Sequence, residues 1–272
     1  MSMNLYEENA GRYDQEGAMR QRFLEIDDRT EDLKDFIKRG KVSFDVFIEN
    51  YDISWIFHEN GLEGVVLSYP EIKSAVDNKI ISDVSLLPTY EDIKSQKQCI
   101  DLMREKAKTK RFHITVPFVH ELHTHLVRDP EENAVYRSDI PIHRTYFHEI
   151  EEPSKIPIQL EKVLTYLKDT QDEDSHPIEL AARTHHKLMR VFPFSRYSGI
   201  IGRLIMNFVL ARFGYLPAVI HAADRQHYYE ALRNSEKNFR GFLVDAMENS
   251  LENAFKFFGL DEPKMKAKKA LS

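Results

Sequence analysis

The chain has 272 residues, of which 42% are hydrophobic and 30% charged, a balance that suits one large or two small globular units with a sizeable core. A net charge of −6 gives no general attraction to nucleic acid or to an acidic membrane surface, and a single cysteine, Cys99, excludes an internal disulfide framework. The opening MSMNLYEENAGRYDQEG is polar and acidic where a signal peptide needs a basic start and an apolar core, and no run reaches transmembrane length, so a cytoplasmic address is expected.

Glycine and proline are few, and apolar residues recur at three and four positions, as in Leu160, Val163, Leu164 and Leu167. The chain is therefore predicted to be mainly α-helical. Residues 1–50 read as an N-terminal extension and 51–110 as an N-terminal helical region, interrupted near IISDVSLLPTYED by Pro88. The main domain is placed at 111–258. Its first helix carries HELHTHLVRD, where His120, His123 and His125 are close together but lack the i,i+4 histidine pair of a zinc-binding HExxH helix. A metal hydrolase stays as the weakest of three functional readings, with no metal ligand assigned.

Farther on, NAVYRSDIPIHRTYFHEIEEP alternates enough to predict a short β-hairpin or flap, an edge on which an extended partner segment can pair. Within it, Tyr136 and Arg137 either act near the flap or, at least as readily, place the ring on the core and the arginine at the surface. The next strong helix begins at Ser175 or His176 with Pro177 in its first turn, and Ile178, Ala181, Ala182, His185, Leu188, Met189 and Phe192 share one face, so His185 points inward. A Pro-Phe corner and a polar turn follow. The helix beyond is apolar on nearly every side, from Ile200 to Leu210, and stops at Gly214. Inside that run lie Arg203 and Asn207, one turn apart, and a buried guanidinium must find an anion or cost about several kcal/mol. Residues 259–272, including KMKAKKALS, form a locally basic tail.

At FPFSRYSGIIGR the chain resembles the Fic (Fido-domain) family, whose active motif reads HPFxxGNGRxxR. Phe192 stands at the family's histidine, Pro193 and Phe194 are kept, and Gly199 and Arg203 match the motif's final glycine and arginine. Arg196 stands where an acidic metal ligand is usual, Tyr197 and Ser198 replace Gly and Asn, and Ile200 replaces the first arginine. The resemblance runs over roughly Val116 to Leu260: FVHELHTHLVR is similar to the family's opening helix, AVYR to its GxYR, and FHEIEEPSKIP to the segment after the target-binding flap. ADRQHYYEALRNS, with Tyr228 and Tyr229, is similar to the helix bordering the nucleotide base. Upstream, IFHENGLEGVVLSYPEI resembles the inhibitory helix S/T-x-x-x-E-G/N, with Glu63 and Gly64 in place and Glu59 at the Ser/Thr position.

This resemblance implies a Fic helical core with a β-hairpin flap, and a relative of protein adenylyltransferases, which move AMP from ATP to a target hydroxyl. It makes Arg203, Gly199, Ser198 and Arg196 the nucleotide- or phosphate-binding candidates, Glu63 and Gly64 the inhibitory pair, and Ile142, Arg144 and Tyr146 the target-facing flap. It implies ATP and Mg²⁺ as ligands, but Phe192 cannot take a proton, Arg196 repels a metal and Ile200 offers no charge. A catalytic residue is therefore not assigned. The sequence favours a pseudoenzyme with lost or altered AMP transfer and a binding or regulatory role toward a protein, ahead of an active nucleotidyl- or phosphate-group transferase with a non-standard motif. Glu63 is expected to be the anion on Arg203, and on that basis Glu63→Gln is expected to cost about 3–5 kcal/mol, the usual penalty for orphaning a buried charge.

Overall fold

The computed structural model describes residues 2–40, 44–79, 83–141, 148–170 and 175–260, with side chains from residue 16 onward. Ten α-helices occur among them: α1 (Ser2–Lys38), α2 (Phe44–Leu62), α3 (Tyr69–Val76), α4 (Leu87–Ala107), α5 (Val116–Leu126), α6 (Ile156–Thr170), α7 (Pro177–Val191), α8 (Ser198–Arg212), α9 (Arg225–Asn234) and α10 (Glu236–Phe257). Their ends are set by local chemistry. Ser68 and Glu71 close a reciprocal capping box on α3, Thr115 caps α5 and Ser235 caps α10. His176 caps α7 through its ring nitrogen, with Pro177 following. At the end of α2, Gly64 turns left-handed with φ +86, and Val65 N–H bonds Asn60 O at 2.9 Å while Gly64 N–H bonds Gly61 O at 3.1 Å. That Schellman closure needs a residue without a Cβ penalty.

Helix α8 is the axis of the molecule, because every residue from Ser198 to Leu210 is buried. Helices α4 and α7 pack along it, α10 packs on α7 and α9, and α1 closes over α10. Close approach is bought by glycine at two points. Gly202 faces Met189 and the His185 ring, and a Cβ on Gly61 would lie 2.5 Å from the Cβ of Ala222, in the turn before α9. Helix α2 is thus seated against the α9 turn as well as against α3 and α4. Among the described residues no helix is long and apolar enough to cross a membrane.

Two expectations change. No strand occurs among the described residues, so the β-hairpin is not seen, and Ile142, Arg144 and Tyr146 lie outside the described residues. The flanks that are described have spent backbone groups elsewhere: Arg137 N–H bonds Pro193 O at 3.0 Å and Glu151 N–H bonds Arg190 O at 2.8 Å. At these points the limbs bond to the last turn of α7 and to the α7–α8 connection and not to one another. Arg137, expected at the surface, is only 3% exposed, because its guanidinium is consumed by backbone carbonyls.

The Gly61 contact yields a stability prediction. Gly61→Ala gains up to about 1 kcal/mol of helix propensity, but the overlap with Ala222 forces α2 away from its seat and costs about 1–3 kcal/mol. A urea unfolding midpoint lower than wild type is expected; an increase would show that the contact yields freely.

Candidate functional site

The turn between α7 and α8 is built on two left-handed residues that are not glycine. Phe192 has φ 43 and ψ 66, and Tyr197 has φ 65. A bulky aromatic in that region costs on the order of 1–3 kcal/mol and persists only where its surroundings impose it. Arg137 supplies the imposition. Its Nε donates to Phe192 O at 2.7 Å, its Nη2 to Val191 O at 3.3 Å and to Glu151 O, and its Nη1 to Asp139 O at 2.7 Å. Ser198 ties the other side of the turn, its Oγ receiving Phe194 N–H and donating to Phe194 O, both at 2.8 Å. The Phe192 ring is 1% exposed.

Arg203, one turn into α8, is likewise 1% exposed. Its Nε donates to Glu59 Oε1 at 2.5 Å, its Nη2 to Glu63 Oε1 at 2.7 Å and its Nη1 to the Tyr228 hydroxyl at 3.2 Å. Tyr228 accepts that bond, so its own proton is available to His185 Nε2, 2.9 Å away. Trp55 Nε1 donates to the other Glu59 oxygen at 3.3 Å. Two carboxylates therefore share one guanidinium. Burial pushes Glu59 above the usual carboxylate range, with Arg203 opposing. For Arg203, burial alone would lower the pKa, but Glu59, Tyr228 and Glu63 outweigh it and hold the charge firmly in place.

Glu59 is the partner that the sequence reading missed. The signal was present, since Glu59 and Glu63 are one turn apart on α2 and point the same way. Its presence corrects the Glu63→Gln expectation, because losing Glu63 leaves Arg203 still paired. Asn207 is spent differently from Arg203, its amide bonding Ala218 O at 3.2 Å and accepting Ala218 N–H at 2.7 Å. Asn60, also on α2, exchanges hydrogen bonds with Gln96 of α4 at 2.8 and 3.1 Å.

The other motif positions surround this cluster. A Cβ on Gly199 would sit 2.5 Å from Glu63 Oε1, so the carboxylate occupies the N-terminal end of α8, where the helix dipole favours an anion. Gly64, just past Glu63, provides the exit described above. Arg196 is exposed, lies over the Tyr197 ring at 4.9 Å and approaches Glu132 at 3.9 Å. With Tyr197, Ile200 and Glu63 it lines a cavity of about 260 Å³. Tyr229 is buried beside Tyr228, their rings 4.9 Å apart.

The residues do not fit the ligands that a Fic motif implies. A divalent cation would meet the Arg196 guanidinium where an acidic ligand is needed. A nucleotide phosphate at the start of α8 would meet the Glu63 carboxylate, with the Ser198 hydroxyl committed to Phe194 and Arg203 already neutralised. Among the described residues no histidine replaces the missing base. His148 lies 6.2 Å from the Phe192 ring but is 3% exposed, its Nε2 against Met189 O at 2.8 Å. His185 is enclosed with Tyr228. On α5, His120 pairs with the Tyr136 hydroxyl at 2.9 Å, and His123 stacks on Phe194 at 3.9 Å while accepting Ala134 N–H.

A helical core around α8, with a Pro-Phe turn feeding a buried arginine, defines a Fic-type fold. Residues 113–210 match the Fic/DOC family model, and the curated relatives and solved structures similar to this chain support the same family. The chain is 26% identical over 208 residues to the protein adenylyltransferase Fic of Aedes aegypti, covering 74% of this chain and 41% of that one. To the protein adenylyltransferase Fic of Nematostella vectensis it is 26% identical over 238 residues, covering 85% and 55%. The chain thus spans about half, or less, of the length of these curated relatives. In fold it is similar to a Fic domain containing signaling protein from Bacteroides thetaiotaomicron, with TM-score 0.75, 22% identity and coverage of 89% and 99%. It is also similar to a fragment of Fic-1 from C. elegans, with TM-score 0.78, 18% identity and coverage of 95% and 78%.

The two-carboxylate cage predicts non-additive mutants. Glu63→Gln or Glu59→Gln alone should cost about 1–2 kcal/mol, and the double variant about 3–5 kcal/mol or more, since only the double orphans Arg203. Equal and additive costs in denaturant unfolding would contradict a shared role.

The enclosed His185 predicts acid sensitivity. Burial lowers its pKa to about 3 from an ordinary 6.5, so the unfolded chain takes up the proton first. Its contribution to stability is complete above about pH 6.5 and is lost as pH falls toward 3, amounting to about 2 kcal/mol by pH 5. His185→Asn unfolding profiles should be flatter between pH 7 and 5 than those of wild type.

Proposed function

We propose that this chain is a Fic-family pseudoenzyme that no longer transfers AMP and acts through binding a protein. The observation that carries the proposal is the double engagement of Arg203: a phosphate ligand would have to displace both Glu59 and Glu63 from a buried guanidinium, and doing so would leave two carboxylates without their partner. Phe192 supports the same reading, because absence of a positioned general base typically costs about 10²–10⁴ in rate. The curated relatives are named protein adenylyltransferases, and a protein is accordingly the class of partner proposed here. The segment carrying Ile142, Arg144 and Tyr146 is its proposed docking edge, within a Fido domain at 111–258 and a cytoplasmic setting.

Titration with ATP, with and without Mg²⁺, tests the reading, together with α-labelled ATP and any captured partner. Wild type should show neither saturable ATP binding nor label transfer; label on the protein or on a partner would overturn the assignment and favour the active-transferase alternative. Rescue should be demanding. Phe192→His alone is expected to stay inactive, since Arg196 opposes a metal and Arg203 remains caged. Activity should require Arg196→Asp, Ser198→Asn and Ile200→Arg as well, and both cage residues must be opened, as Glu63→Gly and Glu59→Ser. Strong activity of Phe192→His alone would show that the histidine was the only block.

A further inference from the structure

At the opposite end of α8 from the motif lies a cavity of about 190 Å³, enclosed by α1, the start of α2, the end of α4 and the Gly214–Pro217 exit from α8. Thirteen residues of helix separate Ala211, in its wall, from Ser198 at the motif turn, which at 1.5 Å per residue is roughly 20 Å. The lining is largely apolar, through Leu33, Ile37, Ile48, Met103 and Leu216, and no carboxylate lines it among the described residues.

Two features at its edge, at Thr30 and Lys34, are not explained by packing alone. Thr30 lines the cavity and is 4% exposed, yet its hydroxyl has no hydrogen-bond partner among the described residues. A buried hydroxyl left unmade costs about 1–3 kcal/mol, and a threonine in a helix would ordinarily satisfy it on the preceding turn. Lys34, one turn farther along α1, also lines the cavity, and a Cβ on Gly214 would sit 2.6 Å from its Nζ. The absence of a side chain there lets the ammonium reach the end of α8. Among the described residues its carboxylate partner is Glu31 at 2.9 Å, whose side chain is 67% exposed, an ion pair of a kind worth little. Arg104 adds a second cation to the wall, though its guanidinium is engaged by Asp52 and Asp101.

We propose that this cavity is a binding site for a small amphipathic monocarboxylate, such as a medium-chain fatty acid or an arylalkanoate. Thr30 and Lys34, at i and i+4 on one face of α1, hold the carboxylate between a hydroxyl donor and an ammonium. The apolar body lies against Leu33, Ile37, Ile48, Met103 and Leu216. A cation fits poorly, because Lys34 and Arg104 face it without a lining carboxylate. A wholly apolar molecule fits the walls but leaves the Thr30 hydroxyl unmade. The site is independent of the nucleotide reading, since none of its residues belongs to the motif turn or to the Arg203 cage.

Isothermal titration of the full chain with sodium octanoate tests the proposal, with octanol as the uncharged comparison and thermal unfolding as the second readout. Saturable octanoate binding below about 1 mM, weaker binding of octanol and a raised Tm are expected. Lys34→Met and the near-isosteric Thr30→Val should each weaken octanoate binding about tenfold, and Ala211→Leu, which fills the cavity, should abolish it while the chain stays folded. Three results would overturn the proposal: no saturable binding together with a raised Tm in Thr30→Val and Ala211→Leu, which marks an unfilled packing defect; octanol binding as tightly as octanoate; or octanoate binding that survives Ala211→Leu undiminished.

Discussion

A guanidinium enclosed in an apolar helix is the constraint from which most of this site follows. Arg203 cannot be stripped of water without anionic compensation, and in α8 there is none to be had, so the compensation arrives from α2. This requirement fixes how α2 sits. Glu59 and Glu63 must both face α8, which turns Asn60 toward Gln96 of α4 and brings Gly61 against Ala222. The helix is held on three sides by interactions of different chemistry: charge on α8, an amide pair on α4, and on the turn before α9 a close glycine–alanine contact beside the Ala222 N–H bond to His58 Nδ1 at 3.2 Å. The cluster sets two carboxyl groups against one guanidinium, with Glu59 also receiving Trp55 Nε1 and Glu63 lying at the positive end of α8.

The second buried guanidinium solves its problem without any carboxylate. Arg137 places its donors on four main-chain carbonyls and so converts one side chain into the scaffold of the α7–α8 turn. The strain at Phe192 is a local consequence of that scaffold. Chain direction must reverse between two core helices in six residues, Phe192 to Tyr197, and left-handed residues at both ends achieve it. The path of this turn depends on Arg137, Pro193 and Ser198 and not on the side-chain chemistry at position 192.

Much of this was legible in the sequence, for reasons that can be located. The apolar run from Ile200 to Leu210 announces a central helix, and an arginine inside it announces an anion. The His176–Pro177 start of α7 and the glycine stop at Gly214 are written in local propensities. What was not legible is tertiary in origin. Glu59 looked like a departure from the inhibitory pattern, and only the placement of α2 over α8 shows it to be a principal ligand of Arg203. Arg137 read as a surface residue because its partners are carbonyls, which every sequence contains and none advertises. The alternation around the flap suggested paired strands, but backbone donors on its described limbs at Arg137 and Glu151 go to the α7–α8 connection and the last turn of α7 instead.

The contact between Gly199 and Glu63 has a consequence for how this chain can change. With Glu63 in place, any side chain at 199 collides with its carboxylate, so the glycine is held by a residue far away in the sequence. The two positions are epistatic. A lineage must first lose or shorten Glu63 before position 199 is free to vary, and Glu63 is itself dispensable only while Glu59 remains on Arg203. The order in which this site can decay is therefore built into its geometry, with the arginine the last of the four to be replaceable.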